Sequence, residues 1–118
     1  MIKISDAELE VMHIIWNKKI VTSFEIIEEL SNKKWTANTI RTLIKRLLSK
    51  GAIEIHSKKG KTYYYKPVLN KEKYLNYQFN KLLNVIYRKN TEKLLLDLLS
   101  QNLITIEDIK WILSKKSA

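Results

Sequence analysis

The stretch "TANTIRTLIKRLLSKG", Thr36 to Gly51, splits cleanly when wound at 3.6 residues per turn. Ile40, Leu43, Ile44, Leu47 and Leu48 fall on one stripe, and Asn38, Arg41, Thr42, Lys45 and Arg46 fall on the other. The first stripe needs a core. The second carries three cations, one amide and one hydroxyl with no acid among them, whereas an ordinary solvated face mixes signs. Thr36 is placed to cap this helix at its start, and Gly51 is the natural residue just past its end.

Two helices are expected before it. In "SDAE", Ser5 stands three residues before Glu8, a capping box, and the helix behind it sets Leu9, Met12, Ile15 and Trp16 on one stripe to about Lys18. "IVT", Ile20 to Thr22, is short and β-branched, and reads as a strand. Thr22 and Glu25 form a second capping box for a helix to about Asn32, with Phe24, Ile27 and Leu30 expected inward. After Gly51, "AIEIHS" and "TYYYKP" flank "KKGK", with Gly60 in a tight turn, so a β-hairpin ending at Pro67 follows. Alternation along Tyr63, Tyr64 and Tyr65 puts Tyr64 opposite its neighbours, and at least one of the three belongs to the core.

Beyond Asn70 the pattern is helical again. "NKEKYLNYQFNKLLNVIYRK" spaces Leu75, Phe79, Leu82 and Ile86 by four and three. "TEKLLLDLLS" is apolar nearly all round, which asks for burial on every side of Leu94 to Leu99. "TIEDIKWILSKK" opens on Thr105 and Asp108 as a cap pair. Three such helices do not close on themselves, and a second copy of the chain is the simplest cover. Leu75, Phe79, Leu82, Ile86, Leu94, Leu95, Leu98, Leu99, Ile109, Ile112 and Leu113 are the candidate dimer contacts. The expected fold is mainly α with a small β-hairpin wing: a winged helix-turn-helix over 1–69, then a helical dimerisation domain over 70–118.

Bulk composition narrows the function. The 118 residues carry 22 basic and 12 acidic side chains, a net charge of +10. The excess is uneven and largest in residues 35–70, where Arg41, Lys45, Arg46, Lys50, Lys58, Lys59, Lys61 and Lys66 face one acid, Glu54, while residues 1–34 are near neutral. Concentrated positive charge beside a near-neutral segment suits a polyanion. Cysteine is absent, which removes thiolate metal sites and cysteine nucleophiles and fits a reducing compartment. The two glycines build no phosphate loop. His13 reads as a half-buried helix residue and His56 as a strand residue, with no acid–histidine spacing that suggests a metal. Trp35 and Trp111 read as packing residues. Neither an enzyme nor a cofactor is expected. With no apolar run near 18 residues and no leader-like start, the expectation is a cytoplasmic protein without membrane insertion.

In a winged helix-turn-helix the third helix enters the major groove of duplex DNA. Arg41 suits guanine, Asn38 adenine, and Thr42 a thymine methyl or base edge, while Lys45 and Arg46 lie nearer the phosphates. Thr36 and Thr39 sit at the helix start, and Lys58, Lys59 and Lys61 at the wing tip suit phosphate or the minor groove.

The combination of "ISDAELEVMHIIW", "TANTIRTLIKRLLSKG" and "KTYYYKP" resembles the penicillinase-repressor family, which includes β-lactamase and methicillin-resistance repressors, and the resemblance covers essentially the whole chain. It implies a homodimeric transcriptional repressor of antibiotic-resistance genes on a palindromic operator with a TACA/TGTA core. It also implies DNA contacts at Asn38, Arg41, Thr42 and Arg46. Asn38 stands where the best-known members carry lysine. The copper-responsive branch senses metal through C-terminal cysteines, which this chain lacks. In the β-lactam branch a membrane sensor-protease triggers cleavage at an Asn–Phe bond, and the matching position here is Asp97–Leu98. Two alternatives stay open: a ligand-sensing winged-helix regulator, and a winged-helix module for protein or RNA.

Overall fold

The computed structural model describes residues 1–31 and 35–116, and the last residue expected in the second helix, Asn32, lies outside them. In chain order the elements are α1 (Asp6–Lys18), β1 (Val21–Thr22), α2 (Ser23–Leu30), α3 (Ala37–Ser49), β2 (Ile53–Lys59), β3 (Thr62–Pro67), α4 (Lys71–Lys81), α5 (Thr91–Ser100) and α6 (Ile106–Lys116). A π-helical stretch, Leu82–Ile86, follows α4. The chain folds as two compact units, Met1–Tyr74 and the residues from Leu75 onward.

The first unit is built by its caps. Ser5 Oγ accepts from Glu8 N–H at 3.1 Å while Glu8 Oε1 accepts from Ser5 N–H at 2.9 Å. Thr22 and Glu25 repeat this reciprocal pair at 3.2 and 3.0 Å. Thr36 Oγ1 accepts from Thr39 N–H at 3.2 Å and opens α3. Each cap satisfies donors that the first turn leaves over. Gly51 at φ +75° ends α3, and Gly60 at φ +61° turns the hairpin, both conformations that a Cβ disfavours.

The three helices and the sheet share one core. Val11, Met12, Ile14 and Ile15 of α1 meet Ile26 and Leu30 of α2 and Ile40, Leu43, Ile44 and Leu47 of α3. The sheet order is β1-β3-β2, all antiparallel, with Val21 opposite Tyr65 and Lys58 opposite Tyr63. The ladder slips between Ile55 and Ser57, leaving His56 in a bulge. Trp16 Nε1 donates to Leu69 O at 2.8 Å, and Tyr74 packs on the Trp16 ring with centroids 5.7 Å apart.

Three packing expectations change. Phe24 is 74% exposed rather than inward, because Ile26 and Leu30 set the buried stripe of α2 and Phe24 falls on its opposite side. His13 is exposed rather than half-buried, standing edge-on to Trp16 at 5.6 Å, since Met12 and Ile15 take the inward positions of that turn. Trp111 is 62% exposed with Lys115 Nζ 5.4 Å from its ring, whereas Trp35 packs against the core as expected. Leu95 and Leu96 of α5 are exposed, and Leu94, Leu98 and Leu99 are half-buried, so one chain does not surround this helix.

The second unit holds no fully buried residue among those described. Asn90 caps α5 through a 3.0 Å bond from Lys93 N–H, and Thr105 and Asp108 cap α6 reciprocally at 3.0 and 2.9 Å. Arg88 and Lys89, at φ 53° and 67°, make the left-handed corner ahead of α5.

Candidate nucleic-acid interface

Burying Ile40, Leu43, Ile44 and Leu47 leaves the other side of α3 in solvent, and Asn38, Thr39, Arg41, Thr42, Lys45 and Arg46 all lie exposed there. Asn38 organises the first turn of this face. Its Oδ1 accepts from Arg41 Nη1 at 3.4 Å, and its carbonyl accepts from Thr42 Oγ1 at 3.0 Å. The Thr42 hydroxyl proton is therefore spent on the helix, which leaves its methyl free for an apolar contact. Thr36 and Thr39 share a hydroxyl contact at 3.1 Å beside the cap.

The hairpin orders its cations on its own aromatics. Lys58 Nζ lies 4.9 Å from the centroid of Tyr63, and Lys59 Nζ lies 5.5 Å from that of Tyr64. These cation–π contacts follow from register: β2 and β3 face each other, and a residue and its diagonal neighbours come within reach of a long side chain. They restrict where two flexible lysines point before any partner arrives. Lys61 stands exposed just past the turn.

Two of the eight basic residues leave the surface footprint. Lys50, the cap at the end of α3, turns back to Lys3 O at 2.8 Å and to the buried carboxylate of Glu8. Lys66 pairs across the strands with Glu54 at 3.3 Å. Burial pushes the Glu8 carboxyl up, but the Lys50 ammonium and two bonds from Ser5 outweigh it and hold it below the usual carboxylate range. The sequence motif showed Glu8 as a helix cap, not as an anchor for the distant end of α3, because residues 42 apart meet only in the fold.

Sequence reasoning also missed a cleft of about 240 Å³ lined by Ser23, Arg41, Ile44, Lys45, Tyr63 and Tyr65. Alternation in "TYYYK" was the available signal. It puts Tyr63 and Tyr65 on the α3 side, where Tyr65 is buried and Tyr63 stays 40% exposed. Burial raises the Tyr65 phenol, with a smaller contribution from Tyr63. In the second unit, Asp97 accepts from Lys93 Nζ and from Tyr87 Oη, each at 2.8 Å. The Lys93 and Tyr87 bonds together hold its carboxyl below the usual range. Of the residues expected at a dimer face, Leu75, Phe79, Ile86, Leu95, Ile112 and Leu113 are exposed, and Leu82, Leu94, Leu98, Leu99 and Ile109 are half-buried.

The chain is similar to known proteins. Residues 4–115 match the family described as penicillinase repressor. The chain is 35% identical over 108 residues to the penicillinase repressor of Bacillus licheniformis, covering 91% of this chain and 84% of that protein. It is 38% identical over 119 residues to the methicillin resistance regulatory protein MecI of Staphylococcus aureus (strain N315), covering 97% and 95%. Among solved structures it is similar to the DNA binding domain of the repressor BlaI, at 42% identity and a TM-score of 0.54 over 59% of this chain and 85% of that one. It is also similar to the monomeric form of Bacillus licheniformis BlaI in complex with the blaP half-operator, at 42% identity and a TM-score of 0.52, with the same coverage. The fold is thus a winged helix, and the chain belongs to the penicillinase repressor family.

Proposed function

We propose that this protein is a homodimeric transcriptional repressor that occupies a palindromic operator of the TACA/TGTA type, upstream of β-lactam-resistance-type genes. The acid-free outer face of α3 carries the reading. Six exposed side chains, Asn38, Thr39, Arg41, Thr42, Lys45 and Arg46, stand there, and on the wing Lys58 and Lys59 rest against tyrosine rings. In the major groove Arg41 forks onto guanine O6 and N7, Asn38 pairs with adenine, and Thr42 meets a thymine through its methyl. Lys45, Arg46, Lys58, Lys59 and Lys61 take phosphates, with Thr36 and Thr39 at the helix entry.

Residues 1–69 form the DNA-binding domain in this reading, and residues 70–118 join two chains. The support for dimerisation is the second unit's apolar surface, from Leu75 and Phe79 to Ile106 and Ile112, which one chain leaves exposed. A relative solved in monomeric form on a half-operator fits a site read by two chains. Cleavage at Asp97–Leu98, in the middle of α5, breaks the element that joins the chains. Each half-site then loses the linked second half and the complex falls apart. A membrane sensor-protease pathway is the proposed trigger and the cytoplasm the proposed site of action; no described helix is long and apolar enough to cross a membrane.

The test is a band-shift titration at near-physiological salt, comparing a TACA/TGTA palindrome with a scrambled duplex of equal length. A preference of roughly 10³ or more, with two chains per duplex, is the expected result. Equal and weak binding to both would remove the operator assignment and leave only an electrostatic footprint.

A further inference from the structure

If α3 lies in a major groove and the wing reaches the neighbouring groove, one phosphodiester strand must pass between them, because a single strand separates adjacent grooves. This rests on the DNA-binding reading above. The cleft of about 240 Å³ between α3 and the hairpin lies in that gap, and its lining has a mixed chemistry. Arg41 and Lys45 supply cations on the α3 side, and no acid lines it. Ile44 and the rings of Tyr63 and Tyr65 give an apolar floor. Ser23, Tyr63 and Tyr65 bring hydroxyls that make no side-chain hydrogen bond with any described residue. Ser23 is also the first residue of α2, where backbone N–H groups are left over. Lys58, stacked on Tyr63, adds a third cation at the wing side.

A ligand that suits all of this has one anionic end and a compact body with both apolar and hydroxyl-accepting edges. We propose that this cleft seats one sugar–phosphate unit of the operator backbone, with Ser23, Lys45, Tyr63 and Tyr65 as the residues that hold it. The deoxyribose lies against the tyrosine rings and Ile44. Its phosphate takes bonds from Lys45 and from the Ser23 and Tyr63 hydroxyls. The contact carries no base information; it fixes how far α3 sits in the groove, and so whether Arg41 reaches its base.

The test is a phosphate-neutralisation scan on the full-length protein. Duplexes carrying the TACA/TGTA palindrome receive one uncharged methylphosphonate at a time, and each is titrated with wild type, Lys45→Met, Tyr63→Phe and Ser23→Ala. The expected result is one phosphate per half-site whose neutralisation costs wild type roughly tenfold and costs Lys45→Met far less, the two losses not adding. Tyr63→Phe weakens binding through the same phosphate while leaving the salt slope unchanged, since no charge is removed. Lys45→Met lowers that slope by about one. Tyr63→Phe keeps the ring and its Lys58 contact, so a folding failure does not blur the reading. Losses that add at every phosphate would overturn the cleft assignment while the DNA-binding reading stands. A wild-type protein with no preference for the palindrome over scrambled duplex would bring down both.

Discussion

Arg41 is held by Asn38 at 3.4 Å, a long and weak bond that a guanine edge outcompetes readily. Arg41→Ala is expected to weaken palindrome binding by about 1–3 kcal/mol while leaving scrambled-duplex binding nearly as it was. Equal losses on both duplexes in a band shift would move Arg41 from bases to phosphates. Lys59→Ala should weaken every sequence alike and lower the salt slope by about one, read by repeating the titration at several salt concentrations. The exposed positions of both residues were legible from sequence, because an exposed helix face and a hairpin tip are set by local periodicity. Tyr63 and Tyr64 were not. Their role under Lys58 and Lys59 depends on which residues the hairpin register sets opposite each other, and the bulge at His56 shifts that register by one.

At the scale of the element, α3 is fixed at both ends. Thr36 caps its start, and Thr36→Ala should lower stability by about 1 kcal/mol in urea unfolding. Its far end is tied by Lys50 to Glu8, whose side chain is only 2% exposed. Glu8→Gln should cost about 2 kcal/mol, less than a fully buried pair because water reaches Lys50. The pH dependence follows from the lowered Glu8 carboxyl. Its contribution is fully present above the unfolded-state value and is lost as pH falls through the lower folded-state value. The wild-type and Glu8→Gln unfolding curves should therefore converge on acidification, and a gap that persists at low pH would locate the stabilisation elsewhere. Capping boxes and the α3 stripe were readable because they repeat within a turn or two. Phe24 was misread because α2 is short, and two frames of its apolar residues compete until Ile26 meets the core.

For the whole molecule, the contrast between the two units matters most. The first has a closed core from Val11 to Tyr74. The second has many apolar side chains, and none is fully buried among the described residues. Phe79→Glu should shift sedimentation from dimer to monomer while the first unit keeps its fold. It should also turn a two-chain band shift into weak single-chain binding. A dimer that survives Phe79→Glu and Leu113→Glu together would mean these helices are covered in some other way. The apolar excess of this half was legible in the sequence, from Leu94 to Leu99 above all. The sequence did not reveal the π-helical turn at Leu82–Ile86 or the left-handed pair Arg88–Lys89, because neither has a local spacing rule.

The position of β2 in the sheet carries one more consequence. Among the described residues the order β1-β3-β2 leaves one side of β2 unpaired along its backbone, a template on which a strand of another molecule can add. Lys58 and Lys59 stand at the end of that edge, and the slip at His56 breaks its regularity. Charge at a strand edge opposes such addition, so the lysines proposed for a DNA backbone are expected to guard the wing against self-association as well. A variant stripped of both lysines should lose solubility as well as affinity, and its precipitation with time, not its band shift alone, is where that second duty would be seen.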